Sequence, residues 1–260
     1  RGKVLGGTSS VNAMIYARGH PKDFDQWQRS GLTGWGYKDV LPYFKRSESN
    51  WRGETEFHGG AGPLGISQAG VVNPMHDMLC EAAHKLDLPV TEDFNGAQPE
   101  GLAIPDMTIK RGRRSSTSRT FLSQARKRTN LHVLTEARAH KVIVEENIAI
   151  GVQYQRGGQI QIAQANSEVI LAGGTYNSPQ LLLLSGIGPA EELVELGIDL
   201  VADRTEVGSN LQEHANAFLD FDLSQPISLN NDLRLDRLSM SAIRWQLFGT
   251  GPLADFPISS

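Results

Sequence analysis

Residues 2–12 read Gly-Lys-Val-Leu-Gly-Gly-Thr-Ser-Ser-Val-Asn, a run in which glycines and other small residues predominate. Small residues let the backbone approach a ligand closely, because no large side chain blocks the way. We therefore expect this segment, called the glycine loop below, to supply backbone N–H donors to a bound group.

A second segment with adjacent glycines follows the apolar run at residues 168–171, which ends in Ala-Gly-Gly at positions 172–174. The run predicts a buried strand. Ser178 and Pro179 predict the cap and the first residue of a helix that continues to Ser185. A strand, a glycine-containing loop and a helix in this order indicate an α/β unit.

The other periodic segments are a mixture of helices and strands. Helical spacing is found at residues 23–29, 38–47, 75–86, 190–196 and 235–248. Strand patterns are found at residues 131–134, 142–144, 149–154, 159–165 and 218–223. The mixture indicates an α/β fold with an added α+β portion.

The composition excludes several classes of protein. The chain has 260 residues, with 25 Lys and Arg against 29 Asp and Glu, so its formal net charge of −4 argues against a nucleic-acid or membrane-surface protein. Its single cysteine, Cys80, has no internal disulfide partner. No apolar stretch approaches the roughly 18 residues that a membrane span needs.

Residues 60–65 fit the pattern G-x-G-x-x-G literally, but we interpret them as an ordinary loop. A dinucleotide-binding loop needs a hydrophobic strand before it and a helix after it. Residues 57–59 are no such strand, and Pro63 with residues 66–68 is a poor helix start. The histidines are scattered without the Cys or carboxylate partners of a metal site, so we expect none.

A basic segment raises the question of nucleic-acid binding. Its eight cations are Lys110, Arg111, Arg113, Arg114, Arg119, Arg126, Lys127 and Arg128. Phe121 is the one aromatic residue interleaved with them, and the whole chain is acidic, so nucleic-acid binding is disfavoured. We interpret the segment as a solvated helix face capped by residues 115–118, with a phosphate contact by one arginine as the alternative.

Two segments together resemble the signatures of one enzyme family. Residues 2–12, continued by Tyr16, Gly19 and Asp25, are similar to the first signature of the glucose–methanol–choline (GMC) flavin oxidoreductases. Residues 174–188 resemble the second signature, in the right order and at about the right distance. Weaker landmarks of the same family are found at residues 93–96, 128–131 and 207–214.

The resemblance implies an incomplete Rossmann-like FAD-binding domain with an α+β substrate-binding domain. In the family the glycine loop lies along the FAD, and Ala139 matches the backbone position that contacts adenine. The cofactor-binding residues implied are Val4, Gly6, Gly7, Thr8, Ser9, Asn12, Ala13, Met14, Ile15, Ala139, Ala172, Gly173 and Gly174. Some relatives carry a flavin-linked His at the position of Val11, so we expect the FAD here to be non-covalent.

The resemblance also implies an activity. Relatives oxidise the CH–OH group of a small-molecule alcohol: an imidazole takes the proton, hydride passes to flavin N5, and oxygen or a quinone-type acceptor regenerates the flavin. The dinucleotide fingerprint and the catalytic His segment of the family match no part of this sequence. We therefore assign no catalytic residue and expect an internal fragment of a choline dehydrogenase-like protein.

The same resemblance suggests a division into domains. We predict that residues 1–57 and 120–215 belong to the FAD-binding domain, and that residues 58–119 and 216–260 contribute to the substrate-binding domain. Asn210 and His214 are expected to hold a loop rather than to take part in catalysis.

Two alternatives stay open at this point. The GMC fold also serves hydroxynitrile lyases, and the isolated chain could be a catalytically inert piece that binds no FAD alone. No Asn-x-Ser/Thr site occurs and Cys80 has no partner, which favours a cytoplasmic location over a glycosylated, secreted one.

Overall fold

The computed structural model describes residues 1–68, 74–213, 224 and 234–255. Backbone contacts divide the chain into two units, Arg1–Leu131 with Phe221–Ser260, and His132–Asp220. The predicted division into FAD and substrate domains stays a prediction. In the described ranges, no helix combines the length and apolar character needed to cross a membrane.

Helices and strands are mixed along the chain, and a short helical turn at Ser118–Leu122 precedes the helix Ser123–Ala125. The helices are Pro21–Arg29 (α1), Tyr37–Ser47 (α2), Pro74–Lys85 (α3), Ser123–Ala125 (α4), Gly174–Leu184 (α5), Ala190–Glu195 (α6), Leu235–Phe248 (α7) and Pro252–Asp255 (α8). The strands are Glu48–Asn50 (β1), Leu64–Gln68 (β2), Asp106–Met107 (β3), Ile109–Lys110 (β4), Arg113–Arg114 (β5), Arg138–Glu145 (β6), Ile148–Arg156 (β7), Gln159–Gln164 (β8), Ile187–Gly188 (β9) and Ala202–Asp203 (β10).

The first unit is built around a small sheet in the order β1-β2-β3. β1 pairs with β2 in parallel, and β2 pairs with β3 in antiparallel orientation. A tight antiparallel hairpin of β4 and β5 follows. Met14, Met107 and Ile109 form a buried apolar cluster beside this sheet, so the segment after the glycine loop is fixed to the core.

Helix α1 begins two residues earlier than predicted because its start is well capped. The His20 ring nitrogen accepts a hydrogen bond from the Lys22 N–H, and the Asp23 carboxylate accepts one from the His20 N–H. Pro21 occupies the first turn, where its missing N–H costs nothing. Phe24 on this helix packs edge-on against Trp27 and against Phe44 of α2.

The second unit contains a three-stranded antiparallel meander in the order β6-β7-β8. Helix α5 packs against β6, and the Val142 N–H donates to the Ser185 hydroxyl at the end of that helix over 2.8 Å. The two-residue strands β9 and β10 pair in parallel. The unit therefore contains Ala139, the position matched to the adenine contact, and the second signature segment.

Several predicted elements agree with the structure. The helices at residues 38–47, 75–86, 190–196 and 235–248 are present within one residue of the expected bounds, and the strands of the meander are present. Residues 60–63 form bends that lead into β2, with no helix after them, which confirms that this G-x-G-x-x-G is a loop. The strand predicted at residues 218–223 lies outside the described residues.

Two predicted strands are wrong. Residues 131–134 and 168–171 have no regular structure, and Leu134 and Ile170 are exposed. A strand needs a neighbour for its N–H and C=O groups, and neither segment pairs with another strand in the described residues. Local apolar character alone therefore overestimated the sheet.

The predicted start of α5 is also wrong. The helix begins at Gly174, so Pro179 lies inside it rather than at its first position. Ser178 does not cap the helix as predicted; instead, its hydroxyl accepts a hydrogen bond from the Gly173 N–H at 3.0 Å. Gly174 takes a left-handed φ of 85°, which allows the chain to enter the helix there.

Candidate functional site

The glycine loop folds into two successive tight turns. The Gly7 N–H donates to the Val4 carbonyl at 2.9 Å, and a 3-10 turn then runs over Gly7–Ser10. Gly6 and Gly7 have left-handed φ values of 91° and 55°. A Cβ atom at Gly7 would have no atom within 4 Å, so the backbone there faces open space.

The hydroxyl side chains of the loop are turned back onto its own backbone. Ser9 Oγ donates to the Gly6 carbonyl at 2.5 Å, and Ser10 Oγ donates to the Leu5 carbonyl at 2.9 Å. Because these hydroxyls are engaged in the turn, they do not project into the space beside Gly7. The predicted binding residues Gly6, Gly7 and Ser9 are thus brought together in one turn.

The other face of the loop is held by the chain more than a hundred residues later. The Thr117 N–H donates to Ser9 Oγ at 3.0 Å, and Thr117 Oγ1 donates to the Gly6 carbonyl at 3.2 Å. Arg114 Nη1 donates to the Asn12 carbonyl at 2.7 Å and to Asn12 Oδ1 at 3.0 Å. Sequence reasoning missed both residues, because no local pattern links them to the loop.

The segment that follows the loop is anchored to the core. Met14 has a positive φ of 63° and a fully buried side chain, so any ligand contact by Met14 falls to its backbone. The Thr108 N–H donates to the Met14 carbonyl, and the Tyr16 N–H donates to the Asp106 carbonyl, both at 2.7 Å. Between these anchors Ile15 is exposed, so its side chain is free to face a ligand.

The remaining predicted binding residues lie in the second unit. Ala139 is exposed on β6, which has a sheet partner on one side, and the pairing with β7 shifts immediately after it. Ala172, Gly173 and Gly174 form the exposed entry to α5. A Cβ atom at Gly174 would meet nothing within 4 Å, so this backbone is open as well.

A buried polar cluster of Arg18, Glu48, His58 and Asp93 lies in the first unit. Arg18 Nη2 and His58 Nδ1 contact Glu48 Oε1 at 2.8 and 3.0 Å, and His58 Nε2 contacts Asp93 Oδ2 at 2.8 Å. The Gly59 N–H also donates to Glu48. The side chains of Arg18, Glu48 and His58 are at most 3% exposed, so these charges meet one another rather than water.

Hydrogen bonding and charge set the pKa values in this cluster. Burial alone would lower the pKa of His58, but its hydrogen bonds to Asp93 and Glu48 raise it to about 9. Burial alone would raise the pKa values of Glu48 and Asp93, but hydrogen bonds from His58 and from backbone N–H groups, together with nearby positive charges, outweigh it and lower both. His58 is therefore a charged imidazolium at neutral pH, and its role is structural.

A basic recess of about 570 Å³ is lined by Lys110, Arg113, Arg114 and Arg119. In the described ranges none of the four makes an ion pair. Burial and the neighbouring Arg119 charge lower the pKa of Arg114, and its Nε has no hydrogen-bond partner. The prediction of a solvated helix face is wrong here, since Arg114 lies on a strand and is 7% exposed.

The remaining predictions concern Asn210 and His214, which were expected to hold a loop, and metal binding. Asn210 donates to the Glu206 carboxylate at 2.5 Å, whereas His214 lies outside the described residues. A search of the described residues finds no group of three or more His, Cys, Asp or Glu side chains that could hold a metal.

The chain is similar to known proteins of one family. The family model for GMC oxidoreductases matches residues 1–216. The oxygen-dependent choline dehydrogenases of Brucella suis and Sinorhizobium medicae are 45% and 43% identical over 251 residues, which is 96% of this chain and 46% of each relative. The chain thus spans about half the length of these relatives.

Solved structures agree with this result. An FAD-dependent oxidoreductase from Chaetomium thermophilum superimposes with a TM-score of 0.85 and 28% identity, over 98% of this chain and 47% of that one. A formate oxidase from Aspergillus oryzae gives a TM-score of 0.84 and 28% identity, over 96% and 45%. With a family model that matches most of its length, the chain belongs to the GMC oxidoreductase family.

Proposed function

We propose that the whole protein is an FAD-dependent oxidoreductase that oxidises the CH–OH group of a small alcohol to a carbonyl. The observation that carries this proposal is the open backbone of the glycine loop at Gly7, in a chain 45% identical to oxygen-dependent choline dehydrogenases. Choline is therefore the first substrate to test.

The residues present fit an FAD dinucleotide. A pyrophosphate requires backbone N–H donors that are not covered by side chains. No side chain covers the backbone at Gly7, so a pyrophosphate can approach the loop there, although the Gly7 N–H itself donates to the Val4 carbonyl. The cations of the basic recess, next to Asn12 through Arg114, add a positive potential that favours an anionic group.

Within the whole protein, this chain's task is binding and orientation. Gly6, Gly7, Thr8 and Ser9 would hold the pyrophosphate, and the backbone from Asn12 to Ile15 would lie by the flavin ring. When bound, FAD supplies the acceptor for the hydride that leaves the alcohol carbon. Val11 offers no nucleophilic atom to the flavin, so we propose that the cofactor is held non-covalently.

The proton of the alcohol needs a base, and the buried His58 does not fit that role. His58 is buried and charged at neutral pH through its two carboxylate partners, so it cannot accept a proton there. We propose that the base, an imidazole in the family pattern, is contributed by the part of the relatives that this chain does not match. The same reasoning predicts that residues 1–260 alone turn over no alcohol.

Anaerobic flavin reduction tests the proposal. Choline and a panel of primary and secondary alcohols are added to the purified whole protein without oxygen, and the visible flavin absorbance is followed. We expect one alcohol to bleach the flavin, and either oxygen or a quinone to restore the colour. Flavin that stays oxidised while a cyanohydrin is cleaved would instead support the hydroxynitrile lyase alternative, for which the named relatives give no support.

The isolated chain provides a second test. We expect residues 1–260, expressed alone, to leave gel filtration without stoichiometric flavin, because about half of the relatives' length is absent from it. Equimolar flavin together with alcohol turnover by the isolated chain would overturn this part of the proposal.

A further inference from the structure

The contacts behind the glycine loop come from one short segment, the strand β5 and the helical turn after it. Thr117 reaches the loop twice, through its N–H to Ser9 Oγ and through its hydroxyl to the Gly6 carbonyl. A Cβ atom at Gly6 would stand 3.0 Å from Ser118 Cβ, so the backbone of Gly6 lies directly against this segment. The loop is therefore supported on the side away from its open face.

Arg114 supports the other end of the loop at Asn12. Its Nη1 contacts both the carbonyl and the side-chain oxygen of Asn12, and that oxygen also accepts the Met14 N–H at 3.1 Å. A single guanidinium nitrogen thus fixes the point at which the loop passes into the buried segment. The charge is held in a nearly dry position without a carboxylate partner in the described ranges, an expensive arrangement for a purely structural arginine.

We propose that Thr117 and Arg114 are positioning residues that set the affinity of the glycine loop for the flavin cofactor. The inference rests on the proposed function, since it needs the loop to hold FAD. Glycines lose more conformational freedom than other residues when they are ordered. A loop ordered in advance by Thr117 and Arg114 avoids that cost at the moment of binding.

Thr117 allows the sharper test because its hydroxyl can be removed and restored. In the whole protein, Thr117→Val loses the hydrogen bond to the Gly6 carbonyl, whereas Thr117→Ser keeps it. We expect Thr117→Val to raise the FAD dissociation constant about three- to tenfold, as the loss of one hydrogen bond predicts. Thr117→Ser should restore affinity close to that of the unmodified protein.

A neighbouring threonine provides the matched control. Thr120 Oγ1 donates to the Ser116 carbonyl one turn away and makes no hydrogen bond with the loop. Thr120→Val therefore removes a hydroxyl from the same segment without touching the loop, and we expect an unchanged FAD dissociation constant. Thermal unfolding of each apoprotein separates an effect on folding from an effect on flavin affinity.

A second variant covers the case in which Thr117→Val folds poorly. Ser9→Ala removes the acceptor of the Thr117 N–H, and we expect it alone to raise the FAD dissociation constant by a similar factor. An equal dissociation constant for Thr117→Val and the unmodified protein, or equal weakening by Thr120→Val, would overturn the inference. Absence of FAD from the unmodified whole protein would contradict the proposed function itself. FAD binding that Thr117→Val leaves unchanged would contradict only this inference.

Discussion

The glycine loop and the buried polar cluster lie in the same unit of the molecule and are built in opposite ways. In the loop, the left-handed Gly7 leaves backbone facing open space, and Thr117 contacts the neighbouring Ser9. In the cluster, Arg18, Glu48 and His58 are enclosed on all sides, and each charge meets an opposite charge. One region is open to a group from outside, and the other is closed to it.

The difference between the glycine loop and the buried polar cluster shows which polar residues are available to bind a ligand. His58 and Glu48 have the shifted pKa values and close geometry that often mark an active site. Their charges are already paired inside the cluster, and although Glu48 Oε2 has no hydrogen-bond partner in the described residues, it is fully buried, so the cluster offers no exposed group to a substrate. Arg114, in contrast, keeps an unpartnered Nε and an unpaired charge in the described ranges, beside the region predicted to bind FAD.

The largest predicted effect comes from disrupting the buried polar cluster. Glu48→Ala leaves Arg18 and the charged His58 buried without their shared carboxylate, so we expect a loss of about 3–5 kcal/mol in the free energy of unfolding. Denaturant titration of the isolated chain measures it. Glu54→Ala, at an exposed carboxylate, is the control and should change the stability little. A loss for Glu48→Ala no larger than the control's would mean that the cluster is not needed for folding.

The second prediction concerns pH. The folded-state pKa of His58 is raised from 6.5 to about 9, so its stabilising contribution is fully present below about pH 6.5 and is lost as the pH rises through about 9. The lowered pKa values of Glu48 and Asp93 give the opposite limit: their contribution is present above about pH 4 and is lost in acid. We expect an alkaline loss of roughly 2–3 kcal/mol.

His58→Gln removes the imidazolium and should flatten the alkaline part of this profile. His132, for which no ion pair is found in the described residues, gives the matched variant His132→Gln, which should keep it. Denaturant midpoints measured between neutral pH and pH 10 check both variants. An unchanged alkaline loss in His58→Gln would show that another group is responsible.

The third prediction tests the open region. Gly7→Ala places a Cβ atom on the free face of the loop, so we expect it to raise the FAD dissociation constant of the whole protein by about tenfold or more. Gly157 is a close match, because it has a φ of 57° against 55° at Gly7 and equally open surroundings. Gly157→Ala therefore carries the same conformational cost without touching the loop. Similar flavin affinity in the two variants would contradict the proposed role of Gly7.

The smallest predicted effect concerns the basic recess. Arg119 raises the cost of the buried Arg114 charge, so Arg119→Gln should stabilise the chain slightly, by up to about 0.5 kcal/mol at low salt. Arg126→Gln removes an exposed cation from the same segment outside the recess and should have no such effect. Thermal unfolding at low and high salt checks both, and a gain that persists at high salt would argue against a charge effect.

The sequence predicts the helices of this molecule better than its strands. Apolar spacing is a local property, so α2 and α7 could be predicted almost to the residue. The false strand at residues 131–134 shows the limit of this approach, because a strand depends on a partner that local pattern does not reveal. The start of α5 was missed because Ser178 bonds to Gly173 as part of the helix rather than as its cap.

The candidate site, like the fold, could be predicted from the sequence only in part. The small residues of the glycine loop are visible in the sequence, and the structure brings Gly6, Gly7 and Ser9 into one turn. Thr117 and Arg114 could not be predicted to contact them, because more than a hundred residues separate them from the loop and neither belongs to a signature. A long-range signal, such as covariation between positions 9 and 117, would be needed to find them.

The central claim is that this chain forms part of a non-covalent FAD site. The most direct measurement is the visible spectrum of the purified whole protein after gel filtration, followed by acid precipitation. We predict an equimolar flavin spectrum, with FAD released into the supernatant on precipitation. A colourless protein would contradict the FAD site, and colour that stays with the precipitate would contradict non-covalent binding.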